Sequence, residues 1–210
     1  QVSCYAKDLS NGNFIEGEYG EPMKAASLIK LFVAGCSYEH MDDLLTLETY
    51  DGQTEELIKK MITVSDNDAC NELVKRIGGN NAEEGMRIIT HYCMKHGFTD
   101  TTMGRLMLDF HSSQENYTSA KDCGIFLENI YKGELEGSDV ILQYMKEQQR
   151  TTKIPAGVPT GVKTANKTGE LDDTENDVAI IYAPSEDYIL CVMTGELSNP
   201  AAARTLIKNI

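Results

Sequence analysis

Strand-like segments stand at both ends of this chain and the middle reads as helix, so a single sheet has to be assembled from two distant stretches. Residues 2–9 and 13–18 alternate as two short strands around Ser10-Asn11-Gly12, an Asn-Gly hairpin signal. At the far end, residues 178–183 and 188–194 flank the turn Pro184-Ser185-Glu186-Asp187, and a last helix follows that Ser198 or Asn199 caps and Pro200 begins. The last two strands are joined too tightly for a crossover helix, so their pairing is antiparallel. Between them, apolar periodicity predicts helices over 55–64, 68–77, 82–96, 120–131 and 138–148. The expectation is an α/β (α+β) protein of one domain, 1–210, with a sheet lobe from 1–26 and 154–210 and a helical lobe from 27–153.

A chain of 210 residues can bury one substantial core without disulfides. Its six cysteines follow no C-x-x-C or His-flanked spacing, which argues against a zinc site. Cys36 and Cys191 sit in apolar runs as buried thiols, and the sequence leaves the pairing of the others open. A net charge of -14 argues against a nucleic-acid backbone or an anionic membrane surface as partner, because both would be repelled over most of the molecular surface. No apolar stretch approaches the roughly 20 residues that cross a bilayer. The chain starts at Gln1, so any export signal, anchor or start methionine is expected to have preceded it.

The run from Ala25 to Ala34 is apolar on nearly every side and has helix length, so a central buried helix is expected there. It carries Ser27 and Lys30 three apart, on one helix face. A hydroxyl needs a base before it attacks, and a lysine kept from water loses affinity for its proton, so Lys30 can serve as that base. Most such lysines simply reach out to solvent, but the neighbours of Lys30 leave it little route. Downstream, Ser65-Asp66-Asn67 lies between two predicted helices; taken alone, helix capping explains it. Asn166-Lys167-Thr168-Gly169-Glu170 begins an extended segment, where the glycine would let a ligand lie close to the strand; taken alone, it is an ordinary edge strand ending in a turn.

In this order, on helix, interhelical turn and strand, S-x-x-K, S-D-N and K-T-G resemble the class A β-lactamases and penicillin-binding proteins. Ala25-Ala26 before Ser27, Ile77-Gly78-Gly79 and Pro155-Ala156-Gly157 extend the resemblance over nearly the whole chain. It implies about five antiparallel strands flanked by terminal helices and packed on an all-helical lobe, with the site in the cleft. It also implies that Ser27 attacks a carbonyl to form an acyl-enzyme, that Lys30 shuttles the proton, and that Ser65 passes a proton to the leaving nitrogen. By the same resemblance Asn67 holds Lys30 and the substrate amide, Lys167 and Thr168 bind a substrate carboxylate, and the N–H groups of Ser27 and Glu170 form the oxyanion hole. The implied substrate is a small molecule, a β-lactam or a cell-wall peptide. The implied protein is an exported monomer with no metal or organic cofactor.

The sequence also departs from that family. The family's W-E-P-x-L-N-like string, with its water-activating glutamate, is absent from the shortened stretch 105–118, where Asp109 or Glu115 are the candidate substitutes. Asn176 and Asp177 stand where the family often has an arginine, and Glu170 adds a negative charge, which leaves Arg204 or Lys163 to supply the missing cation. The short segment between Ser27 and Ser65 opens one wall, which Tyr50 or His40 would line unless each is a plain surface residue. The resemblance implies first a class A β-lactamase-like serine hydrolase that opens β-lactam amides by acylation and deacylation at Ser27; the alternatives are a D-alanyl-D-alanine carboxypeptidase-like cell-wall peptidase and a penicillin-binding sensor without turnover.

Overall fold

A computed structural model of the protein describes residues 1–17 and 22–210. The chain opens with the hairpin β1 (Val2–Asp8) and β2 (Phe14–Gly17), with Gly12 at positive φ in the turn. Glu18, the last residue of the second expected strand, lies outside the described residues. After β3 (Met23–Lys24) a 3-10 turn, Ala26–Leu28, leads into α1 (Ile29–Glu39) and α2 (Met41–Leu45). The helices α3 (Gln53–Thr63), α4 (Asn67–Ile77) and α5 (Ala82–Lys95) follow. Next come β4 (Tyr117–Thr118), α6 (Ala120–Lys132), α7 (Ser138–Lys146) and α8 (Ile154–Gly157). The chain closes with β5 (Lys163–Leu171), β6 (Thr174–Tyr182), β7 (Asp187–Thr194) and α9 (Pro200–Asn209). Of the two candidate caps for the last helix, Asn199 fills the position and accepts from Ala202 N at 3.1 Å.

The sheet runs β2-β1-β7-β6-β5, every pair antiparallel, so the N-terminal hairpin is zipped onto the last three strands. Strand β6 is buried on both faces, which explains its unbroken run Val178-Ala179-Ile180-Ile181. Val178 and Ile180 join the main core beneath the helices, whereas Ala179 and Ile181 pack on the other side with Ile154 and Ile207 of α8 and α9. Strand β5 is left at the sheet edge, against the 3-10 turn that leads into α1.

Helix α1 runs through the centre with every residue from Ile29 to Tyr38 buried. Phe32 meets Phe98 and Phe126 edge-on at 5.3 and 5.2 Å. Leu28, Ile29, Leu31, Phe32 and Val33 are completely buried, at about 1.5–3 kcal/mol each. Together they outweigh the several kcal/mol that one buried ammonium costs, which is how Lys30 comes to be held inside. All six cysteines are free thiols, so packing rather than cross-links holds the fold. Among the described residues, no helix is long and apolar enough to cross a membrane.

Candidate active site

Ser27 sits where the 3-10 turn enters α1, and the backbone before it is held from three sides. Ala25 N donates to Asn116 O at 2.8 Å. Asn176 Nδ2 donates to Lys24 O at 3.0 Å and to Ala25 O at 3.4 Å. The two-stranded ribbon pairs Met23 with Thr118 and Lys24 with Tyr117. Ala26 is thereby held at φ 48°, a conformation that costs a non-glycine residue about 1–3 kcal/mol and survives only where its surroundings impose it.

Lys30 Nζ is the hub. It donates to Ser65 O and Asn67 Oδ1, both at 2.6 Å, and lies 3.2 Å from the hydroxyls of Ser27 and of Ser65. Burial pushes its pKa down to about 8, against weaker opposing pulls from Cys70 and Asp66. A neutral amine has two protons and one lone pair. The two short bonds use both protons and turn the lone pair toward the hydroxyls, so the geometry suits a base that takes the Ser27 proton.

Ser65, at φ 62°, forms the turn between α3 and α4, and Asn67 is the first residue of α4. Capping is the work of the residue between them: Asp66 accepts from Ala69 N at 2.8 Å. The tripeptide therefore does both jobs, and Ser65 and Asn67 are free to face the cleft. Ser65 Oγ accepts from Lys167 Nζ at 2.9 Å, and Lys167 also donates to Thr168 O at 2.8 Å. With Lys167 Nζ donating to one of its lone pairs, the Ser65 hydroxyl keeps its own proton available to donate. Complete burial, then the nearby Lys30 and Arg150 charges, hold the Lys167 pKa well below the ordinary lysine value.

Gly169 fits for a reason different from the expected one. A Cβ there would lie 2.8 Å from Ala25 O and 3.2 Å from both Ser27 N and Ala26 Cβ, so the bare strand lets β5 press against the nucleophile's own turn rather than against a ligand. Gly169→Ala is therefore expected to push β5 off that turn. The expected loss is about 1–3 kcal/mol of stability, with a fall in Ser27 reactivity larger than the lost stability explains. Chemical denaturation and the labelling rate check the two together.

The shortened stretch closes on itself. Arg105 grips Glu115 with two bonds, Nε to Oε1 at 2.8 Å and NH2 to Oε2 at 3.1 Å. Asn116 Oδ1 accepts from the N–H groups of Gly104 and Arg105. Asn71 exchanges two bonds with the Met107 backbone, Nδ2 to O at 3.0 Å and N to Oδ1 at 2.7 Å. The cleft, about 570 Å³, brings Ser27, Asn67, Met107, Glu115 and Glu170 to one wall or another, and Asp109 is not among its lining residues. Asp109 is exposed and accepts from His111 N within its own loop. Of the two candidate carboxylates, the one at the cleft is thus tied to Arg105 and the untied one faces away.

Neither Asn176 nor Asp177 lines the cleft, and both are fully buried. Asn176 braces Ala25 as described, and Asp177 accepts from Ile154 N at 2.9 Å and from Asn166 Nδ2 at 3.1 Å, with burial pushing its pKa up to about 7. Arg204 Nε is 2.6 Å from Glu175 Oε1, and Lys163 lines a separate hollow with Lys146 and Tyr182. Tyr50 is exposed and donates to Glu56, and His40 Nδ1 lies 3.0 Å from Cys36 O, so both have local roles outside the cleft. Sequence reasoning missed Arg150 and Lys153. Arg150 lines the polar end of the cleft with Ser27, Ser65, Asn67, Thr168 and Glu170, and the fully buried Lys153 lies 3.2 Å from Glu170 Oε1. Two positive residues shortly before a K-T-G strand were the available signal.

The sequence model of the beta-lactamase enzyme family matches residues 46–210. The chain belongs to that family. The matched span takes in Ser65–Asn67 and Lys167–Gly169, and the contacts of Lys30 join the preceding S-x-x-K turn to both. Solved beta-lactamase structures reproduce the whole fold. The chain is similar to PBP-A at 23% identity and a TM-score of 0.84, over 99% of this chain and 86% of that one. It is similar to a beta-lactamase from Sphaerobacter thermophilus at 22% identity and a TM-score of 0.83, over 100% and 88% of the two chains. A beta lactamase from Xanthomonas campestris aligns at 20% identity and a TM-score of 0.85, over 100% and 88%. No curated protein matches the chain.

Proposed function

We propose that this member of the beta-lactamase family is a serine acyl-transfer hydrolase that β-lactams acylate at Ser27 and that releases the acyl group slowly. The observation that carries the reading is the position of Lys30 Nζ, 3.2 Å from both hydroxyls and fixed by Ser65 O and Asn67 Oδ1. Neutral Lys30 takes the Ser27 proton as Oγ bonds to the carbonyl carbon. The carbonyl oxygen becomes an oxyanion, which the N–H groups of Ser27 and Glu170 stabilise as its charge develops. Collapse breaks the C–N bond, and Ser65 hands its proton to the leaving nitrogen and recovers one from Lys30.

Slow release rests on the pairing of the carboxylates around the cleft. Glu115 is bound to Arg105, Glu170 lies against Lys153, and Asp173 pairs with Lys24 at 2.8 Å, while the remaining carboxylate of the lining, Asp172, is exposed in the turn between β5 and β6. A positioned general base is worth about 100-fold to 10,000-fold, and an acyl-enzyme without one persists by that factor. This favours a penicillin-binding peptidase acting on cell-wall peptides over an efficient β-lactamase. Both donor classes lie outside the cytoplasmic membrane, so the reading implies a location there for a protein that acts as a monomer.

Intact mass of the protein mixed with penicillin G tests this. The expected result is a full-stoichiometry adduct that outlasts removal of free penicillin. Rapid release of hydrolysed product would establish a β-lactamase, and the absence of any adduct would leave a non-acylating binder.

A further inference from the structure

The polar end of the cleft, where Thr168 meets Ser27, holds a carboxylate of the protein's own. Glu170 Oε1 lies 3.2 Å from Lys153 Nζ and Glu170 Oε2 lies 3.6 Å from an Arg150 terminal nitrogen. We propose that this Glu170 carboxylate makes the site selective for acyl donors with no carboxylate beside the scissile bond, because it already occupies the cations that such a group would need. The proposal rests on Ser27 being the acylated residue.

Among the described residues, the cations around this subsite are already engaged. Lys153 is fully buried, 2.7 Å from Glu175 Oε2 as well as 3.2 Å from Glu170, and donates to Asn176 O at 2.9 Å. Arg204 is held by the other oxygen of Glu175. Lys167 points at Ser65 Oγ and Thr168 O and is pressed toward its neutral form. That leaves Arg150, which lines the cavity and faces Glu170.

Glu170 itself stays ionised. Burial works to raise its pKa, but Lys153, then Arg150 and Arg204, outweigh burial and hold it below the ordinary glutamate value. A donor carboxylate entering the same cavity therefore meets a like charge, whereas an ester or an amide at that position meets none. A like charge about 6 Å away, at an effective dielectric of about 40, is worth about a factor of ten. The inferred substrate class is an amide or lactam whose neighbouring carboxyl is blocked, such as a carboxamide-terminated peptide.

The test uses penicillin G and its methyl ester, which differ only in that carboxyl. Second-order acylation constants are measured by intact mass, each divided by the same donor's rate of hydrolysis by hydroxide. In Glu170→Gln the ratio of free acid to ester is expected to rise about tenfold over the unsubstituted protein. Glu170→Thr, which suits a strand, carries the same expectation if the glutamine variant does not fold. A ratio that stays put or falls overturns the proposal while leaving acylation at Ser27 intact. No adduct with either donor on the unsubstituted protein defeats the acylation reading, and this proposal with it.

Discussion

Ser27→Ala is expected to abolish the penicillin adduct outright, leaving the intact mass of the protein unchanged after prolonged mixing. The side chain is small and at the mouth of the cleft, and the fold depends instead on the leucine, isoleucine and phenylalanine side chains around it. The variant should therefore unfold within a fraction of a kcal/mol of the parent. Ser65 retains a hydroxyl beside both lysines, so it is the residue most able to substitute. An adduct in Ser27→Ala that maps to Ser65 or elsewhere would remove Ser27 as nucleophile.

Lys30→Ala is expected to slow acylation about 100-fold to 10,000-fold near neutral pH, the usual contribution of a positioned base. The sign of the pH dependence follows from which form reacts. Burial lowers the Lys30 pKa to about 8, and only the deprotonated amine accepts the Ser27 proton. Acylation of the unsubstituted protein should thus climb as pH rises toward 8 and level off above it, and that limb should vanish in Lys30→Ala. Because Lys30 is completely buried, truncation leaves a cavity and the acceptors Ser65 O and Asn67 Oδ1 without their donor. The shape of the pH profile separates the two effects, since lost packing lowers the rate at every pH alike. A profile in Lys30→Ala that still rises through pH 8 would assign the titration to another group.

Much of the architecture could be read without coordinates. The strand signals at both ends and the helical period between them predicted one sheet built from both termini around a helical insert, and the resemblance to the β-lactamase family supplied the count of about five strands. The central helix was legible because its apolar residues face every direction, which only a buried element tolerates. Most helix limits shifted by a residue or two, as at α4, which begins at Asn67 because Asp66 rather than a later residue takes the cap. The central helix, expected over 25–34, begins only at Ile29 after the 3-10 turn Ala26–Leu28 and runs on to Glu39. Short elements escaped notice: α2, α8 and the β3–β4 ribbon are too brief for periodicity to register. The site was legible in part. Ser27, Lys30, Ser65, Asn67, Lys167 and Thr168 lie around one cleft as the motif order implied, yet Arg204 and Lys163 do not join them. Charge alone does not say which way a side chain points or which carboxylate reaches it first.

What the sequence determined by itself is the local chemistry: a serine and a lysine one helical turn apart in a segment too apolar to be exposed, a capped turn, and a strand whose glycine admits close approach. Spacing along a chain sets those relations directly, because helix and strand repeats are short-range. Tertiary structure decided what lies across the gaps. It bound Glu115 to Arg105 and took Asp109 away from the cleft. It also set Gly169 against Ala25 and placed Glu170 between Lys153 and Arg150. Electrostatic partners are chosen by distance in space, and distance in space between remote segments is a property of the packed core, not of the order of residues.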